Sequence, residues 1–327
     1  MTKFSKQVRI QNLFGDTKED EIRERIISGL LAYPQKHIDS MFFYDAYGSE
    51  LYEEITKLAE YYPTRTEISI LNKLSNYFSA FRDIDIVELG SGDCSKISII
   101  LESIPNAFRK TMRYIPCDIS SSSIEKASGV IAKKFPEIQF QGIVADFETQ
   151  LDIIPKNGKG IFCFFGSTIG NLLEDDSRKL LLKFSRAMRP GDIFFVGFDM
   201  VKDKDILERA YNDKEGITAK FNLNIVNVVN KHLETDLRAT DFEHLAFYNT
   251  ECSRIEMHIR AKKDLDITSR HLDGNVQMAK GETIHTENSQ KFTRASIERL
   301  AWRSHLRIQN IHTDEKNWFS LVELVKR

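Results

Sequence analysis

The sequence predicts an α/β fold: an open, mainly parallel sheet with helices on both faces, joined to a smaller α+β domain. Three observations lead there. Between Ile84 and Gly197, apolar strand segments alternate with helical ones at short spacing, the pattern of parallel strands joined by crossover helices. After Asp199 the alternation stops, and two helical stretches lead into a run of strands. Near Thr293 the first style returns as one helix and a closing pair of strands.

The elements follow in order. Ile22, Ile26, Ile27, Leu30 and Leu31 share one face of a helix that starts near Asp16 or Thr17. A short helix after Ser49 carries Leu51, Tyr52, Ile55 and Leu58; Pro63 ends that segment, and 66–78 reads as another amphipathic helix. Strands are expected at 84–89, 114–117, 138–144, 160–165 and 193–197, with helices at 94–101, 121–134 and 175–188 between them. Beyond these come helices at 204–211 and 217–233 and strands at 244–248 and 254–261, with further pieces out to Ser289. Ile255, Met257 and Ile259 alternate with polar residues and so share a strand face. A helix at 293–302 and strands at 306–311 and 319–325 close the chain. Residues 65–199 and 291–327 are therefore assigned to the sheet domain, and 1–64 and 200–290 to the smaller one.

Composition narrows the function. With 327 residues, 41% of them hydrophobic, the chain can bury one large core or two unequal ones. A net charge of −2 offers no basic surface for nucleic acid, and the charged run at 16–25 reads as a solvated helix face. No apolar run approaches the roughly 20 residues of a membrane span. The opening MTKFSKQVRIQNLFGD lacks the apolar core of a secretory signal. The four cysteines, at 94, 117, 163 and 252, form no close pair, and the eight histidines are scattered. Neither a disulfide framework nor a metal site is expected, and the chain is read as a cytoplasmic monomer.

The first strand ends in VELGSGDC (87–94), an acidic residue followed by a glycine-rich turn that opens a helix. Glycines there allow a tight turn and close approach of a ligand to backbone. The dinucleotide fingerprint needs a third glycine where Ser95 stands, so a pyrophosphate is disfavoured and a smaller cofactor fits better. Asp118 ends the second strand, where a carboxylate can accept from both ribose hydroxyls. Asp146 and Phe147 end the third, offering an acceptor for an adenine amino group and an apolar wall. Open parallel sheets bind ligands at the carboxyl ends of their strands, where Gly90, Asp118, Asp146 and Gly166 all fall. With the Arg189-Pro190-Gly191 turn and the terminal strand pair, this layout resembles that of the Rossmann-like class I S-adenosylmethionine methyltransferases. Glu88, Gly90, Ser91, Gly92, Lys96, Asp118, Asp146 and Phe147 are then the expected S-adenosylmethionine contacts.

Four stretches resemble a narrower family along nearly the whole chain: FFYDAYGSELYEEITKLAEYYPTR (42–65), FFGSTIGNL (164–172), MVKDKDILERAYND (200–213), and RIEMHIRA with TENSQKF (254–261 and 286–292). They are similar to the histidine Nα-methyltransferases of ergothioneine biosynthesis, which convert L-histidine to hercynine. The resemblance implies that Asn171, Tyr61 and Tyr211 hold the substrate carboxylate. It implies that Gly166, Thr168 and Tyr44 surround the reacting amine. Glu287 and Ser289 would grip the imidazole, with Met257 and Tyr52 packing its ring. This chain departs from the family at Tyr52, where Phe is familiar, at Asn288 between the two imidazole residues, and at Asp93, where Thr is usual.

The residues give that assignment a physical sense. Gly166 and Gly170 let backbone approach a reacting centre, and the Asn171 amide can donate to a carboxylate without adding charge. Glu287 and Ser289 are two apart, so on an extended segment they face the same way. Two other readings stay open: a methyltransferase of the same fold acting on another amino acid or an aromatic amine, and a catalytically silent binding protein. A nicotinamide dehydrogenase is disfavoured by the incomplete glycine pattern.

Overall fold

The computed structural model describes residues 8–13, 19–145 and 158–327, folded as two compact units. One comprises Pro63–Val201 and Lys291–Arg327 with the N-terminal strand; the other comprises Lys202–Gln290 and the N-terminal stretch ending at Tyr62. In chain order the strands are β1 (Val8–Asn12), β2 (Lys36–His37), β3 (Ile84–Leu89), β4 (Arg113–Asp118), β5 (Gln139–Val144), β6 (Lys159–Phe164) and β7 (Ile193–Asp199). They continue with β8 (Phe242–Asn249), β9 (Arg254–Ala261), β10 (Leu265–Ile267), β11 (Val276–Met278), β12 (Thr283–Gln290), β13 (Leu306–Thr313) and β14 (Phe319–Lys326).

The large unit holds an eight-stranded sheet in the order β1-β5-β4-β3-β6-β7-β14-β13. The strands from β1 to β7 pair in parallel, and β14 and β13 are antiparallel. Every residue of β3 and β7 is buried, as a sheet covered on both faces requires. Ile86, Ile161 and Ile193 point to a core that includes Ile97, Leu101 and Ile124; Val87, Phe162 and Phe194 point to the opposite core with Leu181, Phe184 and Ile297. Each such side chain contributes about 1.5–3 kcal/mol by leaving water. The crossover helix Ser121–Lys134 is capped by Ser120, whose side chain accepts from Ser123 N, and has Lys133 and Lys134 in its last turn.

The small unit holds a four-stranded sheet, β2-β12-β9-β8, and a separate β10-β11 hairpin. β9 is antiparallel to both neighbours. Helices Ala46–Ile55, Lys204–Tyr211, Ile217–Leu223 and Ile225–Leu233 belong to this unit.

Several expectations change. Residues 1–64 do not all belong to the small unit, because β1 pairs with β5 from Val8↔Phe140 to Asn12↔Val144. Pro63 lies in the first turn of helix Tyr62–Lys73, where its missing N–H removes no helical hydrogen bond. The expected helix at 66–78 divides at Leu74, and the one at 217–233 divides at Asn224. Asn224 turns its side chain back on the chain, donating to Asp45 Oδ1 at 3.0 Å and accepting from Asn227 Nδ2 at 3.1 Å, a local competitor of helix continuation. The expected helix start at Asp16 or Thr17 lies outside the described residues.

Candidate active site

Chain order along the large sheet reverses between β3 and β6, because β3 leads to β4 and β5 on one side while β6 leads to β7 on the other. Such a switch point leaves a crevice at the strand ends. Gly90 follows β3 with φ +70° and Gly92 has φ +48°. A Cβ built on either would meet nothing within 4 Å, so the turn presents open backbone. Asp118, at the end of β4, accepts from Ser91 N at 3.0 Å and Ser120 N at 2.9 Å. Removal from water raises its pKa, and the N–H groups of Ser120, Ser91, Gly92 and Ile119 counteract that. Ser91 Oγ is buried without a hydrogen-bond partner.

Glu88 is buried and accepts a hydrogen bond from Tyr114 Oη. Desolvation pushes its pKa up to about 8, although that hydrogen bond and the charge of Lys96 oppose the rise. Open glycine backbone, an unpaired buried hydroxyl and a carboxylate at the next strand end fit a nucleoside that carries a small polar tail and no phosphate. The residues thus suit S-adenosylmethionine. Asp146 and Phe147 lie outside the described residues.

The loop after β6 is held from two sides. Gly166, at φ +76°, donates its N–H to Glu67 Oε2 at 2.8 Å. Ser167, at φ +56°, accepts from Asp199 N at 2.9 Å. Thr168 Oγ donates to Phe165 O at 3.0 Å, and Thr168–Asn171 forms one 3-10 turn. Asn171 closes that turn, half-buried.

The small unit brings the other seven expected residues into one cluster. Tyr44 packs edge-on to Tyr52 with centroids 5.7 Å apart, Tyr52 meets Tyr61 at 6.5 Å, and Tyr61 meets Tyr211 at 6.1 Å. Tyr211 Oη donates to Ser289 Oγ at 2.7 Å. Met257 on β9 pairs with Glu287 on β12, and Ile255 with Ser289. Burial, first of all, drives the Tyr61 phenol well above its ordinary pKa, joined by Tyr52, Tyr211 and the charge of Glu287.

Four residues that support this cluster escaped the sequence reading. Asn222 is fully buried; its Nδ2 donates to His258 O and meets His244 Nδ1, both at 2.8 Å, and its Oδ1 accepts from Thr286 Oγ at 2.7 Å. His244 Nε2 then donates to Tyr211 O at 2.9 Å. Desolvation lowers the His244 pKa, which favours the neutral ring this geometry needs. Thr286 sits at a bulge between His285 and Glu287, so one buried amide reaches both Tyr211 and the strand that carries Glu287 and Ser289. Phe221 completes the aromatic group, with its ring 6.1 Å from Tyr52 and 6.0 Å from Tyr44. Glu67, on helix Tyr62–Lys73 and in the large unit, is a fifth omission.

A family model described as histidine-specific, S-adenosylmethionine-dependent methyltransferase matches residues 22–326. The chain is 37% identical to a histidine N-alpha-methyltransferase of Mycolicibacterium smegmatis over 96% of its own length and 98% of that protein's. It is 36% identical to a protein of the same name from Mycobacterium tuberculosis, over 90% of this chain and 95% of that one. Ergothioneine biosynthesis protein 1 of Neurospora crassa is 28% identical over 81% of this chain, which spans 30% of that longer protein. The sheet order fits the class I methyltransferase fold, and the chain belongs to the S-adenosylmethionine-dependent, histidine-specific methyltransferase family.

Proposed function

We propose that this protein trimethylates the α-amino group of L-histidine to give hercynine, a step of ergothioneine biosynthesis. S-adenosylmethionine would supply a methyl group made electrophilic by its sulfonium. Gly90, Ser91, Gly92, Asp118, Lys96 and Glu88 are the described residues assigned to hold it. The observation that carries the substrate reading is the single cluster that joins Tyr44, Tyr52, Tyr61 and Tyr211 to Ser289, with Glu287 register-paired to Met257.

In this reading Asn171, Tyr61 and Tyr211 bind the carboxylate of histidine. Tyr61 suits that task because a phenol with a raised pKa stays protonated and can donate. Glu287 and Ser289 accept from and donate to the imidazole, while Met257 and Tyr52 pack its faces. The α-amino group of a chain terminus has a pKa of about 8; that of a free amino acid, beside its own carboxylate, lies higher, so the site must select or create the neutral amine. Gly166, Thr168 and Tyr44 then act mainly by orientation, which can supply several kcal/mol. The Tyr44 ring would also stabilise the growing ammonium charge by cation–π contact.

All these residues belong to one chain, and we propose that it works as a monomer. Its four cysteines are free, in keeping with a reducing cytoplasm; no helix among the described residues is long and apolar enough to cross a membrane. Incubation with L-histidine and S-adenosylmethionine, read by mass, should show one, two and then three added methyl groups. Absence of the trimethylated product, with another amine methylated instead, would refute this reading.

A further inference from the structure

We propose that Glu67 is a positioning residue for methyl transfer, a carboxylate that holds the lysine just beyond the cofactor turn and the Gly166 backbone of the loop after β6 at once. The inference rests on the reading that Lys96 serves the cofactor and Gly166 the reacting centre. Glu67 lies on helix Tyr62–Lys73 and is 0% exposed. Its Oε2 is 2.7 Å from Lys96 Nζ and accepts from Gly166 N at 2.8 Å. Lys96 is in the first turn of helix Ser95–Ser103, just beyond the Gly90–Gly92 turn, and Gly166 follows β6. β3 and β6 are neighbours in the sheet. One oxygen atom therefore ties together the two loops that leave the switch point.

The second oxygen makes stability a poor explanation for this side chain. Glu67 Oε1 is buried with no hydrogen-bond partner, an arrangement that an apolar residue of similar size would avoid. The fold also makes room for it. A Cβ at Gly197, on β7, would lie 2.3 Å from Oε1 and 3.0 Å from the Phe319 ring. The tether acts on a backbone that needs holding, since Gly166 and the non-glycine Ser167 both have positive φ.

Glu67→Gln keeps the shape and one acceptor oxygen while removing the charge that faces Lys96. Gly197→Ala presses on the same carboxylate without changing it. We expect each variant, at saturating substrates, to lose about tenfold or more in kcat, and Glu67→Gln to weaken binding of S-adenosylhomocysteine measured by calorimetry. Lys96→Met should weaken that binding too, and the Glu67→Gln/Lys96→Met double variant should lose less than the sum of the singles. Normal kcat and normal S-adenosylhomocysteine affinity in Glu67→Gln, even with a lowered Tm, would make the residue merely structural and overturn the proposal. If Lys96→Met weakens the ligand while Glu67→Gln leaves both affinity and kcat unchanged, the Glu67 role falls and the cofactor reading stands. An unaltered affinity in Lys96→Met removes the cofactor reading and this inference with it.

Discussion

Thr286→Val tests whether the buried amide of Asn222 governs histidine recognition. The change is nearly isosteric but deletes the hydroxyl that donates to Asn222 Oδ1 at 2.7 Å and lies 3.0 Å from Met257 O. Asn222 already directs its Nδ2 to His258 O and His244 Nδ1 and is fully buried. Its oxygen would then face no donor and no water, at a cost of about 1–3 kcal/mol. For a domain of 150–250 residues each kcal/mol lowers Tm by roughly 2–4 °C, so thermal denaturation should show a fall of several degrees. Because Thr286 is the bulge residue beside Glu287, the same variant should weaken histidine binding by about tenfold, equivalent to about 1.4 kcal/mol. Calorimetry with S-adenosylhomocysteine should show unchanged affinity. A lowered Tm with normal histidine affinity would confine the network to stability, and an unchanged Tm would refute the hydrogen-bond argument itself.

Further outcomes follow from other residues. The Glu88 carboxyl, raised from 4.5 to about 8 by burial, binds its proton more tightly in the folded chain than in the unfolded one. Its contribution to stability is therefore greatest at low pH and declines between about pH 4.5 and 8. Urea denaturation at pH 5, 6.5 and 8 should show the stability of the wild type falling relative to Glu88→Gln across that range; a pH-independent difference would contradict the assignment. Glu287→Ala should cut kcat/KM for histidine by about 10- to 100-fold through loss of a charged hydrogen bond. Asn171→Ala should weaken every amino-acid substrate, and a variant with unchanged kcat/KM would remove Asn171 from the headgroup.

The sequence exposed features whose signal is local. Strand ends punctuated by Gly90, Asp118 and Gly166 could be read directly, as could helix Ser121–Lys134, where an apolar stripe lies between a serine cap and terminal lysines. Asn222 could not, because a lone amide in a helix looks the same whether it faces water or a strand. The bulge at Thr286 was hidden for a related reason: TENSQ is polar throughout, so its alternation gives no warning of a slipped register. Glu67 did leave a trace. It stands three, four and seven residues before Ile70, Leu71 and Leu74, an acidic residue on the face that a helix turns toward its core. β1 lacked any such sign, since its partner β5 lies more than a hundred residues away.

That first strand has a practical side. Its five residues pair with Phe140 to Val144, all of β5 but the first position. A chain shortened to begin after Asn12 would leave the outer edge of β5 bare, with N–H and C=O groups free to recruit a strand from another molecule. Trimming the amino terminus for crystallisation would thus invite clumping.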